Sequence, residues 1–164
     1  MARKSIEYTV TSDGEDNGKV FVITRMSAFE ADKWGRHVLQ AAIRSGAAIP
    51  DTMVANGIAG LAGAGISIFG AIDPDTTDRL LSRLMECVQI RRDPAHPEVV
   101  QKLLPVDIEE IETVATLQKE AFMLHVGFFR GAARLFSPLV GQMAPGLAAG
   151  QQSAPTSPGP SPAS

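Results

Sequence analysis

The chain has a single cysteine, Cys87, and only three histidines among its 164 residues. One thiol excludes an internal disulfide framework and a multi-cysteine zinc site. It fits a reducing compartment, with Cys87 as a small buried hydrophobe. The histidines are scattered without a second ligand at a metal-binding spacing. His37 therefore reads as a surface or core-edge residue, His96 between two prolines as exposed, and His125 as a packed or edge residue. Lys and Arg total 15 against 18 Asp and Glu, a formal charge of −3, and no basic block is present that could neutralise a run of phosphates. Nucleic acid is not an expected partner. The opening MARKSIEYTV lacks the unbroken apolar run of a secretory signal. No nucleophile, base and stabiliser occur together, so neither an enzyme nor a bound cofactor or metal is expected.

What is present begins with two runs rich in β-branched and aromatic residues, IEYTVT (Ile6 to Thr11) and KVFVITR (Lys19 to Arg25), which predict a β-hairpin. Their connector, SDGEDNG, looks superficially like a calcium loop. The bidentate Glu required six residues after Gly18 is replaced by Thr24, and Asn17-Gly18 is accounted for as a turn needing positive φ. Ser27 followed by Glu30 is a capping box, so a helix starts at Ala28. Phe29, Trp34, Val38, Ala41 and Ala42 form its packing stripe until Ser45-Gly46 ends it. Asp73-Pro74 opens a further helix with Leu80, Leu81, Leu84 and Met85 on its apolar face, and the short CVQIRR after it is compatible with a third strand beside the hairpin.

Between these helices lies MVANGIAGLAGAGISIFGAI (Met53 to Ile72), about twenty residues without a charge. No GxGxxG fingerprint or P-loop fits it, because Ile68 stands where the third glycine is needed. Its length suits a membrane span, but its flanks are Asp51 and Asp73, without basic or aromatic anchors. Asn56, Gly60, Gly63, Ser67 and Gly70 make a small-residue stripe opposite Val54, Ile58, Leu61, Ile68 and Ile72. That pattern predicts a buried central helix, bent or broken around Gly63 to Gly65, with a neighbour close to its backbone. A membrane is not an expected partner.

From Val106 to Phe136 runs the longest periodic segment. Asp107, Glu109, Glu110 and Glu112 crowd its start, and Arg130 and Arg134 lie near its end, as the helix dipole favours. Two adjacent apolar stripes follow: Val114, Leu117, Ala121, Leu124, Phe128 and Leu135, beside Ile111, Ala115, Phe122, Phe129 and Phe136. Either the helix stops near Gly127 or Gly131, or part of this wide face serves a partner, for which Phe122, Met123, Phe128 and Phe129 are the candidates. Residues 141–164 are dense in Pro, Gly, Ser and Ala without charge or periodicity, and read as a disordered tail. The expected architecture is α+β and mainly helical. One domain, residues 1–140, packs an N-terminal hairpin on about four helices.

Taken together, ITRMSAFEADKWGRHVLQAAIRSGAAIPD (Ile23 to Asp51), GIAGLAGAG after it, LLSRLMECVQI (Leu80 to Ile90) and IEEIETVATLQKEAFMLHVGFF (Ile108 to Phe129) resemble the tail assembly chaperones of long-tailed bacteriophages. The resemblance covers Val20 to Phe129. It implies a non-enzymatic protein that binds and solubilises the tape-measure protein, helps recruit tail-tube subunits, acts in the cytoplasm of the infected host and is absent from the mature virion. Such proteins often exist in two forms related by a ribosomal frameshift. The family has no catalytic set to carry over. A structural tail or head-completion protein retained in the virion is the alternative, and leftover apolar surface on the last helix makes self-association plausible.

Overall fold

The computed structural model describes residues 3–55 and 58–143, with the helical backbone alone for residues 58, 59 and 128–143. The chain is α+β and mainly helical. Strands β1 (Ser5–Thr9) and β2 (Val20–Thr24) form the expected hairpin, with Ile6 opposite Ile23 and Tyr8 opposite Phe21. The CVQIRR segment does return as a strand, β3 (Val88–Arg91), antiparallel to β2, and the short β4 (Gln101–Lys102), which the sequence pattern did not announce, completes the order β1-β2-β3-β4. Alternation decides which face packs: Phe21, Ile23, Val88 and Ile90 are buried on one side, while Glu7 and Arg91 pair on the other.

Helix α1 (Ala28–Arg44) starts at the capping box, with the Ser27 hydroxyl accepting from the Glu30 amide and Glu30 from Ser27. It ends where Gly46 takes a φ of 80° and the Ala47 amide reaches back to the Ala42 carbonyl. The buried stripe is Ala31, Trp34, Gly35, Val38, Leu39 and Ala42. Phe29 departs from expectation. It lies two residues, about 200°, around the helix from Ala31 and is 90 % exposed.

The uncharged stretch is not one helix. Helices α2 (Asp51–Ala55) and α3 (Ile58–Ala64) are followed by a 3-10 segment over Ile66–Ala71, and the break falls at Gly65, whose φ of 67° only glycine adopts easily. Leu61, Ile68, Phe69 and Ile72 are buried, whereas Val54 is exposed. The small-residue stripe is approached at Gly60, where a Cβ would lie 2.3 Å from the Met53 carbonyl oxygen, and not at Gly63 or Gly70, which face open space. The close neighbour is therefore the short helix α2, just before α3 in the chain. Among the described residues, no helix is long and apolar enough to cross a membrane.

Asp73 caps α4 (Pro74–Met85) by accepting from the Thr76 amide at 2.9 Å. Helix α5 runs Ile111–Met143, starting later and ending later than the periodicity predicts. It continues past both Gly127 and Gly131 and three residues into the expected tail; residues 144–164 lie outside the described residues. The late start has a physical cause. Asp16, in the hairpin connector, is fully buried, and its carboxylate accepts from the Glu109 and Glu110 amides at 3.0 and 2.9 Å and from Lys19 Nζ at 2.6 Å. The acids expected as helix punctuation are consumed elsewhere: Asp107 pairs with Arg92, and the Glu110 carboxylate accepts from the Glu15 amide. Glu112 alone sits in the first turn.

Burial pushes the Asp16 carboxyl up, but Lys19, the two amides and the Thr113 hydroxyl outweigh it and hold it well below the usual carboxylate range. The stability this contributes is present above the unfolded carboxylate pKa of about 3.9 and is lost as pH falls below it. Asp16→Ala strands two amides and an ammonium and should cost about 3 kcal/mol in urea unfolding at neutral pH. Asp13→Ala, exposed in the same connector, should stay within about 0.5 kcal/mol of the parent.

Candidate partner-binding groove

Three aromatic rings fill the centre of the core. Phe122 on α5 lies 6.0 Å from both Trp34 on α1 and Phe69 on the 3-10 segment, edge-on to each. Trp34 Nε1 donates to the Leu80 carbonyl oxygen at 3.1 Å, tying α1 to α4. Phe122 is thus fully buried and leaves the set of partner-facing candidates. Met123 is half-buried against the core. The side chains of Phe128 and Phe129 lie outside the described residues. Of the described members of the second apolar stripe, Ile111 and Ala115 are exposed and Phe122 packs.

Apolar surface is instead left open in a groove of about 930 Å³ between α4, the β3–β4 end of the sheet and the beginning of α5. Leu81 and Met85 contribute from α4, Leu103 from the chain after β4, and Ile108 and Val114 from the approach to α5 and its first turn; all five are half-buried. Leu81 and Met85 belonged to the α4 stripe in the sequence, but the helix turns Leu80 and Leu84 into the core and leaves these two at its margin. Sequence periodicity could not reveal Leu103 or Ile108, because both lie in irregular chain whose position depends on β4 and on the Asp16 contacts. The rim is mixed in charge, with Arg83 bridging Glu30 and Glu86 at 3.0 and 2.7 Å.

The groove has little chemistry of its own. Cys87 lines it, but burial pushes its thiol up, away from the reactive thiolate. Among the described residues, no three His, Cys, Asp or Glu side chains are grouped to hold a metal ion. What the groove can do is bury another apolar surface, and Met85 can adjust its shape to different side chains.

At one end of the groove, Met26 is fixed by His125. The buried imidazole accepts from the Met26 amide at Nε2 (2.9 Å), so Nδ1 carries the proton and donates to the Ala121 carbonyl oxygen at 2.6 Å. His125 is the packed histidine of the two readings left open by the sequence. No protein-family model matches the chain, and no curated protein or solved structure matches it.

Burial lowers the His125 pKa; the Ala121 carbonyl opposes this, and Arg25 and Arg83 add to it. The unfolded chain therefore takes up the proton first as pH falls, and stability drops below the ordinary histidine pKa of about 6.5. The urea midpoint should decrease from about pH 7.5 to about pH 5, and His125→Gln should start lower and lose most of that decrease. Equal slopes in the two proteins would place the pH dependence elsewhere.

Proposed function

We propose that this protein is a tail assembly chaperone of a long-tailed bacteriophage, holding amphipathic segments of the tape-measure protein in soluble form while tail-tube subunits are recruited. The observation that carries the reading is the open apolar groove beside α4, together with the resemblance over Val20 to Phe129. A trough that presents aliphatic and methionine side chains between charged ones suits a ligand whose apolar stripe must be shielded and later released. Helix α5 supplies a second element. Its backbone continues 17 residues beyond Val126, the last side chain buried among the described residues, a rise of about 25 Å, through the sequence containing Phe128, Phe129, Leu135 and Phe136. On this reading the protein is not an enzyme, works in the host cytoplasm and leaves before the virion is complete.

Co-expression with the neighbouring tape-measure protein should move the latter from the pellet to the soluble fraction and co-purify it. Met85→Asp with Leu103→Asp should abolish the rescue while the thermal melt of this protein stays cooperative. Phe128→Asp with Phe129→Asp tests the α5 extension separately. An insoluble tape-measure protein, alongside abundant copies of this chain in finished virions, would replace the chaperone with a structural tail or head-completion component.

A further inference from the structure

A second groove, of about 720 Å³, lies between α1 and α4. Glu30 meets Arg83 at 3.0 Å and Trp34 Nε1 meets the Leu80 carbonyl oxygen at 3.1 Å, so the two helices line this groove in opposite directions. Its floor is Trp34, Ala41 and Leu80. Lys33, Arg44 and Arg79 stand exposed on its walls with no carboxylate at ion-pair distance among the described residues, whereas Arg83 is occupied by Glu30 and Glu86. Arg79 donates to the uncharged Thr76 hydroxyl. Asp73, the other carboxylate of the lining, faces the Thr76 amide as the α4 cap. From Lys33 to Arg44 the helix rises about 16 Å, or about three turns. Phe29, one turn before Lys33, is 90 % exposed and leaves a large apolar ring unused at that end.

These features select the occupant. Cations over an apolar floor, in a chain of net charge −3, require an anionic surface that also carries apolar groups. A nucleic acid strand fits poorly, because its phosphates follow one another without gaps while Glu30 and Asp73 interrupt the cations. A protein helix can place a carboxylate opposite each cation and neutral side chains opposite the two acids. We propose that the α1–α4 groove docks an acidic amphipathic helix of a different protein, about three turns long, with its apolar stripe over Trp34, Ala41 and Leu80 and its carboxylates facing Lys33, Arg44 and Arg79. The groove beside Leu81 and Met85 selects by apolar burial, and this one selects by charge as well. The two share only Glu30 and Arg83 among the described residues, so they can take different ligands. The proposal stands whether or not the chaperone reading does.

Trp34 is the single tryptophan of the chain, so its emission reports on the groove floor. The test titrates the full chain with a synthetic helical peptide of about twelve residues, leucines on one face flanked by glutamates, followed by peptide anisotropy and Trp34 emission. The peptide should bind, shift the emission, and weaken from about 0.1 M to about 1 M salt, where the screening length shrinks from about 10 Å to about 3 Å. The same peptide with glutamine for glutamate should bind about tenfold more weakly. Lys33→Glu with Arg79→Glu should weaken the acidic peptide about tenfold; both positions are exposed, and an unchanged thermal melt would show that the variant folds. Met85→Asp with Leu103→Asp, in the other groove, should leave this binding as it is. Equal affinity for the two peptides would overturn the proposal. So would binding that survives Lys33→Glu with Arg79→Glu or disappears in Met85→Asp with Leu103→Asp. A single-stranded oligonucleotide of equal charge that competes as well as the peptide would assign the groove to nucleic acid instead. A lower solution mass of the unliganded Lys33→Glu, Arg79→Glu protein would give the groove to a second copy of this chain, and either result overturns the proposal.

Discussion

The carboxylate of Asp16 joins the parts of this fold that sequence distance keeps apart. It sits in a loop between two strands, yet its oxygens take the amides of Glu109 and Glu110, more than ninety residues later, and the ammonium of Lys19 from the next strand. Lys19 in turn donates to the Asp107 carbonyl oxygen, and the backbone of Gly14 passes so close to Glu110 that a Cβ would lie 2.8 Å from its carboxylate oxygen. A buried charge is tolerable only when its lone pairs are filled, and here the donors come from the hairpin and from the approach to α5 at once. Losing any one of them would leave the others facing an unsatisfied group. The contact therefore fixes both where α5 starts and how it leaves the sheet.

The layout of the core and of the open groove follows from that placement. With α5 pinned at its start, Leu117, Ala121 and Phe122 enter the core against Trp34 and Phe69, and His125 reaches the Met26 amide at the end of β2. Ile108 and Val114 are set against Met85 across the apolar groove, while Val106 and Ile111 are turned out to solvent. Helix α4 then separates two troughs of different character. One face carries Leu81 and Met85; the other carries Arg79 beside Lys33 and Arg44.

Local signals carried much of the architecture into the sequence. The hairpin, the capping box at Ser27 and Glu30, the Asp73-Pro74 start, the break near Gly65 and the third strand all depend on residues within a few positions of one another, where side-chain chemistry acts directly on the backbone. The hairpin with CVQIRR beside it fell short of the sheet by β4, whose two residues, Gln101 and Lys102, have no strand pattern and pair because β3 presents an edge to them. Periodicity also overreached at Phe29 and Ile111. Both fit a helical stripe, but a stripe becomes core only on the side that a neighbour covers: in these same terminal turns Ala31 and Thr113 are buried while Phe29 and Ile111 face outward.

The sequence by itself therefore determined the class of the fold, most element boundaries and the lack of any grouped nucleophile or metal-ligand motif, because each is written in composition or in spacings shorter than two helical turns. Tertiary structure alone decided that Asp16 is a buried anchor and not a turn residue, that Phe122 is core, and that Leu103 and Ile108 meet Leu81 and Met85 around an open groove. Those facts depend on contacts across 20 to 95 residues, as between Glu15 and Glu110, and burial at such distances is set by which elements pack together and not by any local preference of the chain.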